Sequence, residues 1–358
     1  MLAPIRVLVV DDSALIRQML THALALDPRI EVVGIARTGA EAIEKVVELK
    51  PDVITLDIEM PEMSGLDALP YIMRESPARV LMLSSVDDPD TTYTALSRGA
   101  VDFIAKPRGG FASSLTDLAE LLLKKIKIAY RIEPDKRGGQ TGGAPPTTPL
   151  DPSRVRKTTG PCASTMNRVV VIAASTGGPP ALEQVFSGLT DDLPAAFLVV
   201  QHLPTGFAAS LAKRLAMRAG FPIVEAQGGM RVEPGHGYVA PAGWHLTVRG
   251  RSGQAASLSL DDSAARHGVR PSADSLFESA AKAFGSSVTG VVLTGMGQDG
   301  AVGLAAIRGV GGTTVVQDES TSVVWGMPGA AVKIGAAQYI VPLDRVATEI
   351  RRTVREGS

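Results

Sequence analysis

The first 130 residues alternate between short apolar runs and longer amphipathic segments. Runs rich in β-branched residues have the pattern of buried strands, at residues 5–10, 31–35, 53–56, 80–83 and 102–105. Amphipathic segments of helical length follow them, at residues 13–26, 39–49, 66–74, 89–98 and 114–130. Strands that each precede a helix predict a parallel sheet covered on both faces, which is a doubly wound domain of the α/β class.

Residues 167–358 show a second and larger α/β pattern. Apolar strand runs are predicted at residues 169–174, 196–200, 287–293 and 313–317, and a helix at residues 181–189. The stretch 235–260 has turn residues around Pro241 and is predicted to form an antiparallel excursion. We therefore expect a second doubly wound parallel sheet, with functional side chains at the carboxyl ends of its strands.

A segment that cannot form a core separates the two patterns. Residues 137–161 are dominated by glycine and proline and keep no apolar periodicity. We predict domains at residues 1–130 and 167–358, joined by a flexible Gly/Pro-rich linker at residues 131–166. The chain's one cysteine, Cys162, excludes an internal disulfide and a thiolate metal cluster.

The composition argues against several classes of function. The 36 lysines and arginines balance 37 aspartates and glutamates, so the chain lacks the basic excess of a nucleic-acid-binding protein. Aromatic residues make up 4% of the chain, too few for a base-stacking surface. No apolar stretch has the length of a membrane span and no signal peptide opens the sequence, so we expect a cytoplasmic protein without membrane insertion.

Polar residues gather at the predicted strand ends of the first domain. They are Asp11, Asp12, Asp57, Ser84 and Lys106. Converging carboxylates repel one another unless a hard cation such as Mg²⁺ neutralises them, and a carboxylate beside a metal can itself accept a phosphoryl group. A single residue of this kind also fits a plainer role, because Asp12 or Ser13 alone can cap the first helix.

The whole set resembles the response-regulator receiver domain, over residues 4–130. The resemblance implies a flavodoxin-like fold in which a histidine kinase phosphorylates Asp57. It also implies that Asp11, Asp12 and Asp57 hold Mg²⁺, helped by the backbone carbonyl of Glu59.

The same resemblance assigns roles to other residues of the pocket. Ser84 is expected to bind a phosphoryl oxygen, Phe103 to be the aromatic switch, and Lys106 to contact the phosphate ahead of a cis Pro107. Ser64 stands where the family usually has Asp, in the loop after the phosphorylation site, and this departure puts no catalytic role in doubt.

A receiver has no output of its own, and the second domain offers residues for acyl chemistry. Ser175 follows a buried strand and precedes a Gly-rich helix start, nearly a nucleophile elbow except that Ala173 replaces the first glycine. His202 ends the next strand and is placed to take the hydroxyl proton, while Asp299 can orient the imidazole. Backbone N–H groups at the helix start, beginning with Thr176, suit an oxyanion.

Each of these features also fits a plainer role. A Gly-rich turn after a strand can cradle phosphate, although the chain has neither a P-loop nor a complete dinucleotide fingerprint. His202 by itself fits a structural histidine. The two glycines around Met296 fit either a tight strand exit or a second oxyanion donor.

Four motifs behind the receiver together resemble the chemotaxis response-regulator methylesterase family. They are Ala-Ser-Thr-Gly-Gly-Pro-Pro at 174–180, Gln-His-Leu-Pro at 201–204, Arg-His-Gly-Val-Arg-Pro-Ser-Ala-Asp at 266–274 and Gly-Met-Gly-Gln-Asp-Gly at 295–300. The resemblance implies a Rossmann-like hydrolytic domain that removes methyl groups from methyl-glutamate residues of chemoreceptors, releases methanol and deamidates certain receptor glutamines. The implied esterase chemistry uses Ser175, His202 and Asp299 without a cofactor.

The pairing of domains implies control by phosphorylation. We expect the unphosphorylated receiver to pack over the Ser175 cleft and phosphorylation of Asp57 to open it. Residues 266–274 either shape the mouth of this site or begin a helix, with Ser272 as N-cap and Asp274 in the first turn. A DNA-binding output and a non-catalytic scaffold are the rival interpretations, and the long α/β pattern and the Ser175 set weigh against them.

Overall fold

The computed structural model describes residues 3–76, 78–84, 88–106, 111–132, 168–250 and 255–356, with the backbone alone for residues 111–117. The chain divides into two compact units, Met1–Pro149 and Leu150–Ser358. Most of the predicted linker lies outside the described residues, as do Pro107 and Cys162, so the linker and the domain boundaries stay predictions. Within the described ranges, no helix combines the length and the apolar character needed to cross a membrane.

Strands and helices alternate throughout the described part of the first unit. Its elements are β1 (Ile5–Val10), α1 (Ala14–Ala25), β2 (Ile30–Ala36), α2 (Gly39–Leu49), β3 (Val53–Asp57), α3 (Gly65–Glu75), β4 (Arg79–Ser84), α4 (Pro89–Ser97), β5 (Asp102–Ala105) and α5 (Phe111–Arg131). The strands form a five-stranded sheet in the order β2-β1-β3-β4-β5, and all neighbouring pairs are parallel. The predicted doubly wound α/β architecture is confirmed.

Side-chain caps determine where helices α1 to α4 begin. In each, a polar side chain accepts a hydrogen bond from the backbone N–H three residues further on, and these caps are Ser13, Thr38, Ser64 and Asp88. Because Ser13 caps α1, the capping alternative does not account for Asp12. Ser64 also donates to the Asp67 carboxylate at 2.7 Å, so the serine at this position serves the start of α3.

The second unit contains a larger parallel sheet and a separate hairpin. Its elements are β6 (Arg168–Ala174), α6 (Gly178–Ser187), β7 (Ala195–Gln201), α7 (Ala208–Ala219), β8 (Ile223–Glu225), β9 (Gly237–Val239), β10 (His245–Arg249), β11 (Ser257–Asp261), α8 (Ala273–Phe284), β12 (Val288–Val292), α9 (Ala301–Gly309), β13 (Thr313–Gln317), α10 (Met327–Lys333), β14 (Tyr339–Val341) and α11 (Leu343–Glu356). The seven-stranded sheet has the order β14-β13-β12-β6-β7-β9-β8. The chain leaves β6 towards β7 and later returns to β12 on its other side, which makes the carboxyl end of β6 a topological switch point.

The predicted antiparallel excursion at residues 235–260 is wrong in its first part. Strand β9 lies in this stretch, but it pairs in parallel with β7 and β8 and belongs to the main sheet. Within the described part of this stretch, β10 and β11 are the strands that pair antiparallel, with His245 opposite Asp261. Strands β8, β9 and β14 escaped prediction because each has three residues, too few to show a periodicity.

An aromatic cluster anchors the strand that leads to His202. Phe197 of β7 is fully buried, and its ring centre lies 5.9 Å from that of Phe186 and 5.2 Å from that of Phe221. The cluster joins β7 to α6 and to the residues after α7. We expect it to contribute strongly to the stability of this unit.

Replacing Phe197 with alanine should lower the free energy of unfolding of the second unit by about 3–5 kcal/mol, because a fully buried ring leaves a cavity. Both tryptophans of the chain, Trp244 and Trp325, lie in this unit, so tryptophan fluorescence during urea unfolding reports on it. Val302→Ala is the control. Because Val302 is 52% exposed, this substitution should change the free energy of unfolding by no more than about 0.5 kcal/mol. A similar small loss for Phe197→Ala would contradict the importance of the cluster.

Candidate active site

Ser175 lies at the switch point of the second sheet. It directly follows β6, and its N–H donates to the Thr294 carbonyl at 3.0 Å. The chain then turns through Gly177, whose φ is +75°, and α6 begins at Gly178, earlier than the predicted helix start at residue 181. The prolines that hid this start occupy the first helical turn, where a missing N–H costs no hydrogen bond.

The register of β6 and β7 brings His202 to the same edge of the sheet as Ser175. Ala174 is paired with Gln201, so the next residue of each strand lies at the carboxyl edge. The His202 N–H also donates to the Ala174 carbonyl at 3.2 Å. Across the described ranges the Ser175 hydroxyl makes no hydrogen bond to the imidazole, and contacts of this kind often tighten only when substrate is bound.

His202 is paired with Asp299. The imidazole Nε2 lies 2.9 Å from the Asp299 carboxylate oxygen Oδ2. Because an ionised carboxylate only accepts hydrogen bonds, Nε2 carries the proton and Nδ1 is left as the basic nitrogen. The pairing predicted from the sequence is therefore present, whereas the choice of ring nitrogen could not be read from it.

The beginning of α8 holds the Asp299 carboxylate. Oδ1 accepts hydrogen bonds from the Ser272 hydroxyl at 2.6 Å and from the Asp274 N–H at 3.2 Å. Oδ2 accepts one from the Ala273 N–H at 2.6 Å. Burial alone would raise the pKa of Asp299, but the hydrogen bonds from His202, Ser272 and Ala273 outweigh it and lower this pKa to about 2. Asp299 is therefore a fixed negative charge at neutral pH.

The segment 266–274 begins a helix and also supports Asp299. Ser272 occupies the predicted N-cap position of α8, although its hydroxyl donates to Asp299 instead of accepting a hydrogen bond from the helix. Asp274 is fully buried: Oδ1 accepts the Gly303 N–H at 2.6 Å and Oδ2 lies 2.8 Å from His267 Nε2. Contact between this segment and a substrate stays a prediction.

His267, Asp274 and Asp299 could be mistaken for a metal centre, since their potential ligand atoms lie within 4.8 Å of one another. Both oxygens of each carboxylate already accept hydrogen bonds from this chain. A metal ion would have to displace these donors. We therefore interpret the cluster as a hydrogen-bonded support for Asp299.

The two predicted oxyanion donors lie on the segments that flank Ser175. A Cβ at Gly295 would come within 2.4 Å of Met327 Sδ and 2.9 Å of Ser175 Cβ. Glycine at this position therefore lets the segment that carries Met296 pass close to Ser175. The Met296 N–H has no acceptor in the part of the chain that the structure describes. Thr176 follows Ser175 directly, and its carbonyl accepts the Thr294 hydroxyl at 3.0 Å.

The acidic pocket of the first unit forms at the carboxyl ends of β1, β3 and β5. Lys106 Nζ lies 2.9 Å from Asp11 Oδ2 and 2.6 Å from Asp57 Oδ2. Asp11 and Asp57 are buried and Asp12 is exposed, yet all three offer carboxylate oxygens within 4.8 Å of one another. The Glu59 N–H donates to Asp57 Oδ1 at 3.3 Å. The structure thus brings the predicted residues together.

Negative charge in this pocket is only partly compensated. Burial raises the pKa of Asp57 to about 6; Lys106 opposes this rise and the neighbouring Asp11 adds to it. Asp11 Oδ2 and Asp57 Oδ2 are buried and both face the Lys106 ammonium, at 2.9 and 2.6 Å, and each anionic oxygen keeps a further lone pair beyond this contact. Carboxylate oxygens with free lone pairs are the ligands that Mg²⁺ prefers, so these residues fit that ion.

The remaining predicted receiver residues, Ser84 and Phe103, point towards the helices around the sheet. The Ser84 hydroxyl lies 2.5 Å from the hydroxyl of Thr92, a fully buried residue of α4. Phe103 is 5% exposed, and Lys125 Nζ lies 5.8 Å from its ring centre. Ser84 is therefore engaged with α4 in this state.

Comparisons with known proteins match both parts of the chain. The family profile described as CheB methylesterase covers residues 170–350, and the one described as response regulator receiver domain covers residues 7–112. A Symbiobacterium thermophilum relative named protein-glutamate methylesterase/protein-glutamine glutaminase is 44% identical, over 99% of this chain and 98% of its own length. A Pyrococcus horikoshii protein of the same name is 42% identical, over 98% and 94%. The chain belongs to the CheB methylesterase family.

A solved structure supports the same assignment for the second unit. The CheB methylesterase catalytic domain of Thermotoga maritima is similar with a TM-score of 0.51 and 37% sequence identity, covering 52% of this chain and 98% of that one. The α/β fold around Ser175 is therefore that of the CheB catalytic domain.

Sequence reasoning missed how Ser272 and Thr92 support the two sites of this CheB family member. Ser272 was expected to cap α8, because a serine before a helix usually does so, and its bond to the distant Asp299 depends on the fold. Thr92 carried no signal at all, since a threonine within a helix pattern is ordinarily a surface residue. Only the packing of α4 on the sheet buries it beside Ser84.

Lowering the pH from about 4 to about 2 should remove about 2 kcal/mol of stability that ionised Asp299 provides. Its folded pKa of about 2 lies below the ordinary 3.8, so the contribution is complete above the ordinary value and disappears as the pH falls through the folded one. Asp299→Asn should lack this part of the pH dependence in urea unfolding followed by tryptophan fluorescence. Identical pH dependence in the two proteins would contradict the assignment.

Proposed function

We propose that this chain hydrolyses methyl esters of glutamate side chains in chemoreceptors, releasing methanol, and deamidates receptor glutamines, in sensory adaptation during chemotaxis. The observation that carries this proposal is the His202–Asp299 pair, joined at 2.9 Å beside Ser175 at the switch point of the sheet. The name shared by its relatives, protein-glutamate methylesterase/protein-glutamine glutaminase, supplies the class of substrate.

Ester cleavage begins with Ser175 as the nucleophile. Its Oγ attacks the ester carbonyl carbon while His202 Nδ1 takes the hydroxyl proton. Asp299, held ionised by a pKa of about 2, stabilises the resulting imidazolium through Nε2. The N–H groups of Thr176 and Met296 stabilise the oxyanion of the tetrahedral intermediate. His202 then gives its proton to the departing methoxide, so methanol leaves and an acyl-enzyme remains on Ser175.

Water completes the cycle. His202 removes a proton from water as it attacks the acyl-enzyme, then returns the proton to Ser175 Oγ, and the glutamate carboxylate is released. A glutamine side chain follows the same route with ammonia as the leaving group. The esterase steps in this proposal use no cofactor.

The receiver unit supplies control. Asp57 accepts a phosphoryl group from a chemotaxis histidine kinase in the cytoplasm, and Asp11, Asp12, Asp57 and the Glu59 carbonyl would hold Mg²⁺. The bound ion would offset the negative charge that gathers around the Asp57 carboxylate during transfer.

The residues around Asp57 respond to the phosphoryl group. Lys106, already 2.6 Å from Asp57 Oδ2, contacts a phosphoryl oxygen. The Ser84 hydroxyl leaves Thr92 to bind another, and the aromatic ring of Phe103 moves with it. Phosphorylation then raises the esterase activity of the second unit.

Ser175→Ala should reduce methanol release from methylated receptor fragments by at least about 10³-fold, because the acyl-enzyme cannot form. Methanol is measured with and without a small phosphodonor plus Mg²⁺. The control is Ser187→Ala, which removes an exposed serine at the far end of α6 and should leave the rate unchanged. Methanol release by Ser175→Ala at the unmodified protein's rate would contradict this mechanism.

Asp57→Ala should abolish the rise in methanol release that the phosphodonor and Mg²⁺ produce, since it removes the carboxylate that accepts the phosphoryl group in this proposal. Asp67→Ala, which removes an exposed carboxylate of α3, should keep the rise. Full activity of Asp57→Ala without a phosphodonor would contradict the inhibitory role expected for the unphosphorylated receiver.

A further inference from the structure

We propose that Gln201 is a positioning residue whose buried amide aligns the nucleophile with the general base. The inference rests on the proposed function, which gives Ser175 and His202 those roles. It concerns the backbone of Ser175 and His202. The Ser175 hydroxyl and the His202 imidazole cannot fix the position of that backbone by themselves.

The amide of Gln201 bridges the two residues that must meet. Gln201 is the last residue of β7 and is 2% exposed. Its Nε2 donates to the Ser175 carbonyl at 2.8 Å and to the His202 carbonyl at 3.2 Å. One planar group therefore sets the distance between the turn that carries the nucleophile and the strand end that carries the base.

Only one orientation of this amide suits its surroundings. If it were reversed, Oε1 would face two carbonyl oxygens, which are acceptors and cannot donate. In the observed orientation Oε1 is buried and has no hydrogen-bond partner among the described residues. A buried acceptor without a partner destabilises the folded state, so stability alone does not explain a glutamine at this position.

Gly178 provides the space that the amide occupies. A Cβ at this residue would lie 1.9 Å from Gln201 Oε1. The Gly178 N–H also donates to the Ser175 carbonyl at 2.8 Å. The Ser175 carbonyl is thus held from two sides, by the first residue of α6 and by the last residue of β7.

Misalignment of reacting groups by about 1 Å can cost about 10²-fold in rate, so removal of the amide should act on the chemical step. We expect Gln201→Met, which keeps the length of the side chain, to lower kcat about 10- to 100-fold while KM changes less than about twofold. Gly178→Ala should lower kcat similarly, because it displaces the amide.

A matched steric control lies at the other end of α6. Gly188→Ala creates a clash of 2.7 Å with Ala347 Cβ, away from Ser175, and should leave kcat unchanged. The readouts for the full-length variants are kcat and KM for methanol release and the rate at which a fluorophosphonate labels Ser175. Labelling needs no receptor, so normal labelling without methanol release would count against the proposed substrate and leave the Gln201 inference standing.

Combination with His202→Ala separates positioning from a general structural role. If Gln201 acts through the alignment of Ser175 with His202, adding Gln201→Met to His202→Ala should cost little further labelling rate. Thermal unfolding of Gln201→Met should stay within a few degrees of the unmodified protein. The proposal would be overturned if the two substitutions lowered the labelling rate additively in the double variant, or if kcat were unchanged in Gln201→Met.

Discussion

The hydrogen bonds that Asp299 accepts from the start of α8 hold the candidate active site in one arrangement. The same carboxylate caps this helix from another loop and receives the proton of His202 Nε2. Because these hydrogen bonds are stronger to a charged acceptor, they favour the ionised carboxylate, and the imidazole that donates to it through Nε2 keeps Nδ1 free for chemistry. The position of α8 and the tautomer of His202 therefore depend on a single side chain, and losing it would disturb both.

The chain uses buried aspartates in two opposite ways. Asp299 and Asp57 are each 2% exposed, yet the pKa of Asp299 falls to about 2 and that of Asp57 rises to about 6. The difference lies in what surrounds them, since Asp299 has a hydroxyl, two backbone N–H groups and an imidazole as donors. Asp57 has Lys106 beside it but also the competing carboxylate of Asp11. The Asp299 carboxylate finds all these donors within the chain, whereas the Asp57 pocket suits a cation and a phosphoryl group.

Close approach of backbones at the switch point explains the glycines of the esterase motifs. Gly295 lets the Met296 loop reach Ser175, and Gly178 leaves space for the amide of Gln201. In each case a single methyl group would overlap an atom of the site. These positions are consequences of packing three adjacent parallel strand ends around Ser175, the proposed nucleophile.

Strand and helix periodicity determined the α/β class of both units. Residue type at strand ends identified Asp57 in the pocket of the first unit. The same signal identified Ser175, His202 and Asp299 as neighbours in the pocket of the second. These features were readable because they depend on local pattern and on the rule that parallel strands end at one edge. The three-residue strands, the bond from Ser272 to Asp299 and the amide bridge of Gln201 were not readable. Each depends on which distant segment packs against it, and that is a property of tertiary structure, because burial and hydrogen-bond geometry exist only once the chain has folded.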